Sequence, residues 1–247
     1  MVPVRTGLAG SLVVLVGVLA GLDGLVGLSA PAWLVGLACE VVLTGAVARA
    51  PGPADGDALG PADLVTLARA TLTCAVAALV AQSALGELST MPVALLAALA
   101  LALDAVDGRV ARATRTQSAF GGRFDGEADA FLLLVLSVPV AQSYGPWVLA
   151  IGVARYAFWG AGLLLPWFRR RLPARQWCRV VAAVQGVVLV VATADLLPRA
   201  PTYAALVVAL GLLAESFGRD VLWLVRHRHD SPDDLPTRVE AGRLGVS

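Results

Sequence analysis

The chain has 247 residues, of which 58% are hydrophobic and 15% charged, with a formal net charge of +1 at neutral pH. A mean hydropathy of +0.77 over this length excludes an ordinary soluble domain and a disordered chain, and it fits a polytopic membrane protein. So small a net charge calls for no nucleic-acid partner.

A helix that crosses a bilayer needs about 20 mostly apolar residues. Eight segments meet that description, at 8–28, 31–49, 62–83, 91–109, 124–143, 146–166, 177–196 and 201–225, so the expected fold class is all-α. The first two form a Gly-rich N-terminal hairpin interrupted by Asp23 and Glu40. Reading residues 1–32 as a cleaved signal peptide, with Arg5 as its basic start and Ser29-Ala30 near the cut, is the weaker alternative. The apolar stretch exceeds the usual h-region of about 7–15 residues. Residues 50–61 are a Pro/Gly/Asp linker without apolar periodicity. The expected organisation is a hairpin and linker at 1–60, a six-helix membrane domain at 61–226 and a polar tail at 227–247. His227 and His229 in that tail have no suitable neighbours for a metal. Cys39, Cys74 and Cys178 lack metal-type spacing and lie in apolar surroundings, so they are expected to be packed thiols.

Arginines are distributed unevenly. Arg109, Arg112, Arg115 and Arg123 fall in one connection, Arg169, Arg170, Arg171, Arg175 and Arg179 in another, and Arg226 and Arg228 at the start of the tail. The connections near Gly86, Tyr144 and Pro198 carry little positive charge, Arg199 being the exception. The positive-inside rule then places the Arg-rich connections and the C-terminus in the cytoplasm, and an even helix count places the N-terminus there too. An integral protein of the cell (inner) membrane is expected.

The chemistry concentrates in Asp104-x-x-Asp107-Gly108-x-x-Ala111-Arg112, followed after eight residues by Gly121-x-x-x-Asp125-x-x-x-Asp129. Carboxylates in membrane helices are costly and mark ions, protons or substrates. At about 100° per residue, Asp107, Gly108 and Ala111 lie roughly −60°, +40° and −20° from Asp104, so two acids share a face with two residues of minimal bulk. Gly121, Asp125 and Asp129 step by four and form a second stripe. The stretch from Arg109 to Phe120, rich in Arg, Thr, Gln and Ser, is expected to reverse the chain and bring the two stripes face to face. Four carboxylates aimed at one point suit a hard cation such as Mg²⁺ or Mn²⁺. Glu127 lies about 200° from Asp125 and is left out of the cage.

These residues resemble the signature of the CDP-alcohol phosphatidyltransferase family, D-x-x-D-G-x-x-A-R-x8-G-x3-D-x3-D, with all eight fixed positions met. The likeness is strongest from Asp104 to Asp129 and extends more loosely from Pro61 to Arg226. It implies a six-helix membrane core that transfers a phosphatidyl group from CDP-diacylglycerol to an alcohol and releases CMP. It further implies Asp104, Asp107 and Asp125 as metal ligands, and Asp129 as general base that also touches a second metal, with two Mg²⁺ or Mn²⁺ ions in all. Gly108 and Ala111 would make room for the nucleotide, Arg112 would meet phosphate or hold an acid, and Gly121 would allow close approach. The implied partners are CDP-diacylglycerol or another CDP-alcohol and membrane lipids, with a homodimer left open.

Upstream, the stretch from Ala62 to Arg69 is similar to the family's P-N-x-x-T-x-x-R, with Asp63 in place of Asn. By resemblance Asp63 and Thr66 hold the nucleotide, while Arg69 serves phosphates or orders the acids. The plainer alternative makes Asp63 a helix N-cap. Arg155, in the middle of an apolar segment, is expected either at the acceptor side of the substrate or paired with an acid such as Glu215. Glu215, Arg219 and Asp220 are expected to form a polar network. The Arg169–Arg171 cluster reads as a topology anchor, and Arg175 and Arg179 as candidates for a phosphorylated acceptor. Rival readings are a CDP-amino-alcohol donor with diacylglycerol as acceptor, a metal-coupled transporter, and an inactive protein that keeps the fold. A transporter predicts internal symmetry, which the sequence lacks; an inactive protein predicts loss of the acids, and all four are kept.

Overall fold

The computed structural model describes residues 2–49, 58–59, 61–86, 89–114, 119–169 and 176–226; of these, the side chains of 2–5, 46–49, 58–59, 61–62, 106–114, 119–123, 166, 169 and 176 lie outside that description. Eight helices occupy the described residues: α1 Val4–Val26, α2 Ala30–Arg49, α3 Pro61–Ala84, α4 Met91–Thr114, α5 Ala119–Tyr144, α6 Leu149–Leu164, α7 Gln176–Ala194 and α8 Arg199–Arg226. Each lies on one of the expected apolar segments. The only strands among the described residues are two-residue pieces, β1 Val2–Pro3 and β2 Ala58–Leu59, paired antiparallel ahead of α3.

Among the described residues, five helices are long and apolar enough to cross a membrane by length and composition, namely Thr6–Val26, Asp63–Ala84, Pro146–Leu164, Trp177–Ala194 and Arg199–Arg226. Ala30–Gly45 and Met91–Ala105 are apolar stretches within α2 and α4, and both helices continue beyond them. The helices reach further into the segment Arg109–Phe120 than the expected spans, because α4 runs to Thr114 and α5 begins at Ala119. Its Ala and Arg residues are good helix formers and it contains no proline. The expected reversal of the chain falls on 115–118, outside the described residues.

α3 sits at the centre, in contact with α1, α2, α4 and α5. Small residues make this crowding feasible: Ala70, Cys74, Ala75, Ala77 and Ala78 are all buried on it. The hairpin packs on one side of α3. Ser29 donates to Gln82 Oε1 from its backbone N at 2.9 Å and from its hydroxyl at 2.7 Å. Thr71 Oγ1 donates to Glu40 Oε1 at 3.4 Å, and Glu40 is fully buried. Asp23 caps the hairpin turn by accepting from the Leu28 N–H at 2.7 Å, next to Gly27 at φ +69°. The two acids that interrupt the hairpin in sequence are therefore a turn cap and an interhelical contact.

On the other side, α7 contacts α4 and α5 and pairs with α8, while α6 packs on α5. A Phe158–Phe168–Phe217 cluster, with ring centroids 4.7 and 5.5 Å apart, ties α6 to the turn after it and to α8. α5 and α6 approach so closely at Gly152 that a Cβ there would lie 2.5 Å from Leu134 Cα and from Ser137 Oγ. Backbone cannot yield as a flexible side chain does. Gly152→Ala is expected to part the two helices and cost about 1–3 kcal/mol, as overpacking does. A fall in the melting temperature of the purified protein would show it, and an unchanged value would refute the close contact.

Candidate functional site

The site is built on the first turns of α3. Pro61 opens the helix, where a missing N–H costs nothing. Asp63 falls inside the first turn, so it is not the N-cap residue, and its charge complements the helix dipole there. Asp63, Thr66 and Arg69 recur every three residues along one face and are all buried. A small apolar cluster of Leu67 and Ala70 on α3 with Phe124 and Ala128 on α5 fixes the two helices against each other beside them.

Arg69 is only 2% exposed and lies among three carboxylates. Its Nη1 donates to Asp104 Oδ1 on α4 and, at 2.8 Å, to Asp129 Oδ1 on α5. Its Nη2 donates to Asp125 Oδ1 and, at 3.5 Å, to the Asp125 carbonyl. One oxygen from each of Asp104, Asp125 and Asp129 lies within 4.8 Å of the others. The acids are each about a third to two-fifths exposed, so the cluster opens to the outside while the guanidinium is sealed beneath it. Arg179, exposed in the first turn of α7, lies within electrostatic reach of Asp104.

Three of the four acids chosen from sequence are thus brought together, and Arg69 is found ordering them. The side chains of Asp107, Gly108, Ala111, Arg112 and Gly121 lie outside the described residues, although the backbone of all five is helical. Arg155 is placed elsewhere. Its Nη2 donates to Glu127 Oε1 at 2.8 Å, on the side of α5 about 200° from Asp125. Its guanidinium lies over Gly126, where an added Cβ would come within 3.2 Å of Nη2. Glu215, the partner foreseen for it, instead pairs with Arg219 and accepts from Trp177 Nε1 at 2.9 Å. Sequence reasoning missed the Glu127–Arg155 pair and the part of Gly126 in it. The available signal was Gly126 itself, a residue without bulk next to an acid on the outward face.

The profile of the CDP-alcohol phosphatidyltransferase family matches residues 59–215. The chain belongs to this family. The match runs from the start of α3 into α8 and leaves out α1 and α2. No curated protein and no solved structure matches the chain. Membership makes it an integral membrane transferase of CDP-alcohol phosphotransferase type, with CDP-alcohols and membrane lipids as its partners.

The family is divalent-metal dependent, and the residues here suit such a cation. All three donors are carboxylate oxygens, the type a hard cation prefers. Among the described residues three carboxylates converge on one guanidinium, a surplus of negative charge that a divalent ion would neutralise. Arg69 approaches from the buried side and the acids keep their exposed side.

Proposed function

We propose that the protein transfers the substituted phosphate of CDP-diacylglycerol to an alcohol in phospholipid synthesis and releases CMP. The observation that carries this reading is the convergence of Asp104, Asp125 and Asp129 on buried Arg69 within the segment matching the family. In the reaction a bond forms between the acceptor oxygen and the diacylglycerol-bearing phosphorus. The pyrophosphate P–O bond breaks, and CMP leaves with the electron pair. The acceptor proton passes to a carboxylate oxygen of Asp129, the general base. Asp104, Asp107, Asp125 and Asp129 would hold Mg²⁺ or Mn²⁺, with two ions as the proposed number. Bound there, the metal neutralises pyrophosphate charge and polarises phosphorus.

Arg69 keeps the acids convergent by hydrogen bonds from below. Asp63 and Thr66 on the same face of α3 border the nucleotide, Gly108 and Ala111 leave room for it, and Gly121 allows close approach. Arg112 meets phosphate. Arg155, held by Glu127 on the face of α5 about 200° from Asp125, is left out of the acceptor site. The proposed topology puts the acids and both termini in the cytoplasm of a cell membrane, supported by the Arg-rich connections on that side. The hairpin and linker at 1–60 are read as an addition to the catalytic domain at 61–226, followed by a tail at 227–247.

Purified protein supplied with CDP-diacylglycerol and a panel of polyols, phosphorylated polyols and amino alcohols is expected to release CMP with Mg²⁺ or Mn²⁺. It should stop in EDTA. Failure with every donor and acceptor would sink the enzyme reading. Turnover only with a CDP-amino alcohol and diacylglycerol would reverse the assignment of donor and acceptor.

A further inference from the structure

A second polar cluster lies at the end of the bundle opposite the acids. Tyr144 closes α5, 15 residues beyond Asp129, or about 22 Å along the helix. There Ser143, Tyr144, Arg199, Ala200 and Tyr203 line an open cavity of about 550 Å³. Arg199 is the one cation that the sequence places among the otherwise weakly charged connections at this end. Its Nη2 donates to the Ser143 carbonyl at 2.7 Å, and its guanidinium carbon lies 5.8 Å from the centre of the Tyr144 ring. Among the described residues no carboxylate pairs with it, including Asp195 in the same turn. Tyr144 contributes its ring to the cavity wall, since its hydroxyl is buried.

A guanidinium has five N–H donors, and one is committed here, to the Ser143 carbonyl. The donors left over at an open cavity suit an anion with several oxygens. Trp147 donates to the Tyr144 carbonyl at 2.9 Å and stacks edge-on against Tyr203 at 5.5 Å, so the cavity carries the aromatic girdle typical of the membrane–water boundary. Ala200, Tyr203, Val207 and Gly211 continue from it as an exposed stripe on one face of α8, the course an acyl chain would follow.

We infer that this cavity binds the phosphate of an anionic phospholipid in the leaflet opposite the acidic cluster, with Arg199 as the donor. A phosphate group is the shared chemistry of a lipid headgroup and free phosphate. The depth, the aromatic girdle and the apolar stripe favour the lipid. Charge-assisted hydrogen bonds from an arginine supply the affinity.

Native mass spectrometry of the full-length protein, titrated with phosphatidylglycerol in mild detergent, reads the binding directly. Arg199→Ala is expected to weaken retention of one lipid by about tenfold, the scale of a lost charged hydrogen bond. Arg199→Lys should recover part of it, with an unaltered melting temperature. Inorganic phosphate at the same concentrations should neither bind nor displace the lipid. Equal retention by the wild type and a folded Arg199→Ala would overturn the site. Phosphate taking the lipid's place would overturn its assignment to a lipid.

Discussion

Asp129→Asn is expected to lower the rate of CMP release by about 10²–10⁴-fold, the usual contribution of a positioned general base. The amide has nearly the shape of the carboxyl group but cannot take the acceptor proton at neutral pH. Arg69 keeps its contacts with Asp104 and Asp125 in this variant, so the bundle has no reason to unfold. Melting temperature should therefore change little while turnover collapses. Normal turnover at a wild-type melting temperature would remove Asp129 as the base. A collapse of both would instead make the residue structural.

Arg69→Leu is the second large effect, and its signature is the reverse. Removing one side of a buried charge cluster leaves like charges facing each other, and such losses cost about 3–5 kcal/mol. The three acids are partly open to solvent, which screens them, so the low end, about 3 kcal/mol, is expected. The loss should be largest in EDTA and smaller with millimolar Mg²⁺ or Mn²⁺, because a cation that binds the folded state stabilises it by mass action. Thermal unfolding with and without metal checks this. If metal leaves the variant's melting temperature unmoved, the three carboxylates are not the metal set.

Much of this was readable in the chain for a definite reason. Apolar runs of membrane length mark helices without help from tertiary structure, and steps of three and four place Asp104, Asp125 and Asp129 on helix faces before any packing is known. What failed was information that belongs to pairs of helices. Arg155 offered no clue that Glu127 rather than Glu215 would meet it, since that depends on how α5 and α6 are rotated against each other at Gly152. Glu40 looked like a flaw in a hydrophobic segment, because hydropathy weighs a residue alone and not with Thr71 opposite. The helices beside the stretch Arg109–Phe120 were drawn too short, because polar side chains are compatible with both a loop and a solvated helix end.

The two sets of polar contacts on α3 have a joint consequence for alignment. Thr71 and Gln82 lie about 20° apart around that helix and roughly 200–220° from Arg69. A slip of α3 by one residue would turn it about 100° and move it about 1.5 Å, taking Arg69 away from three acids at once. The same slip would break the contacts to Glu40 and Ser29 on the far side. α3 is thus gauged from opposite directions, once by the three carboxylates and once by a hairpin outside the family-matched segment. That hairpin sets where the guanidinium stands without touching it.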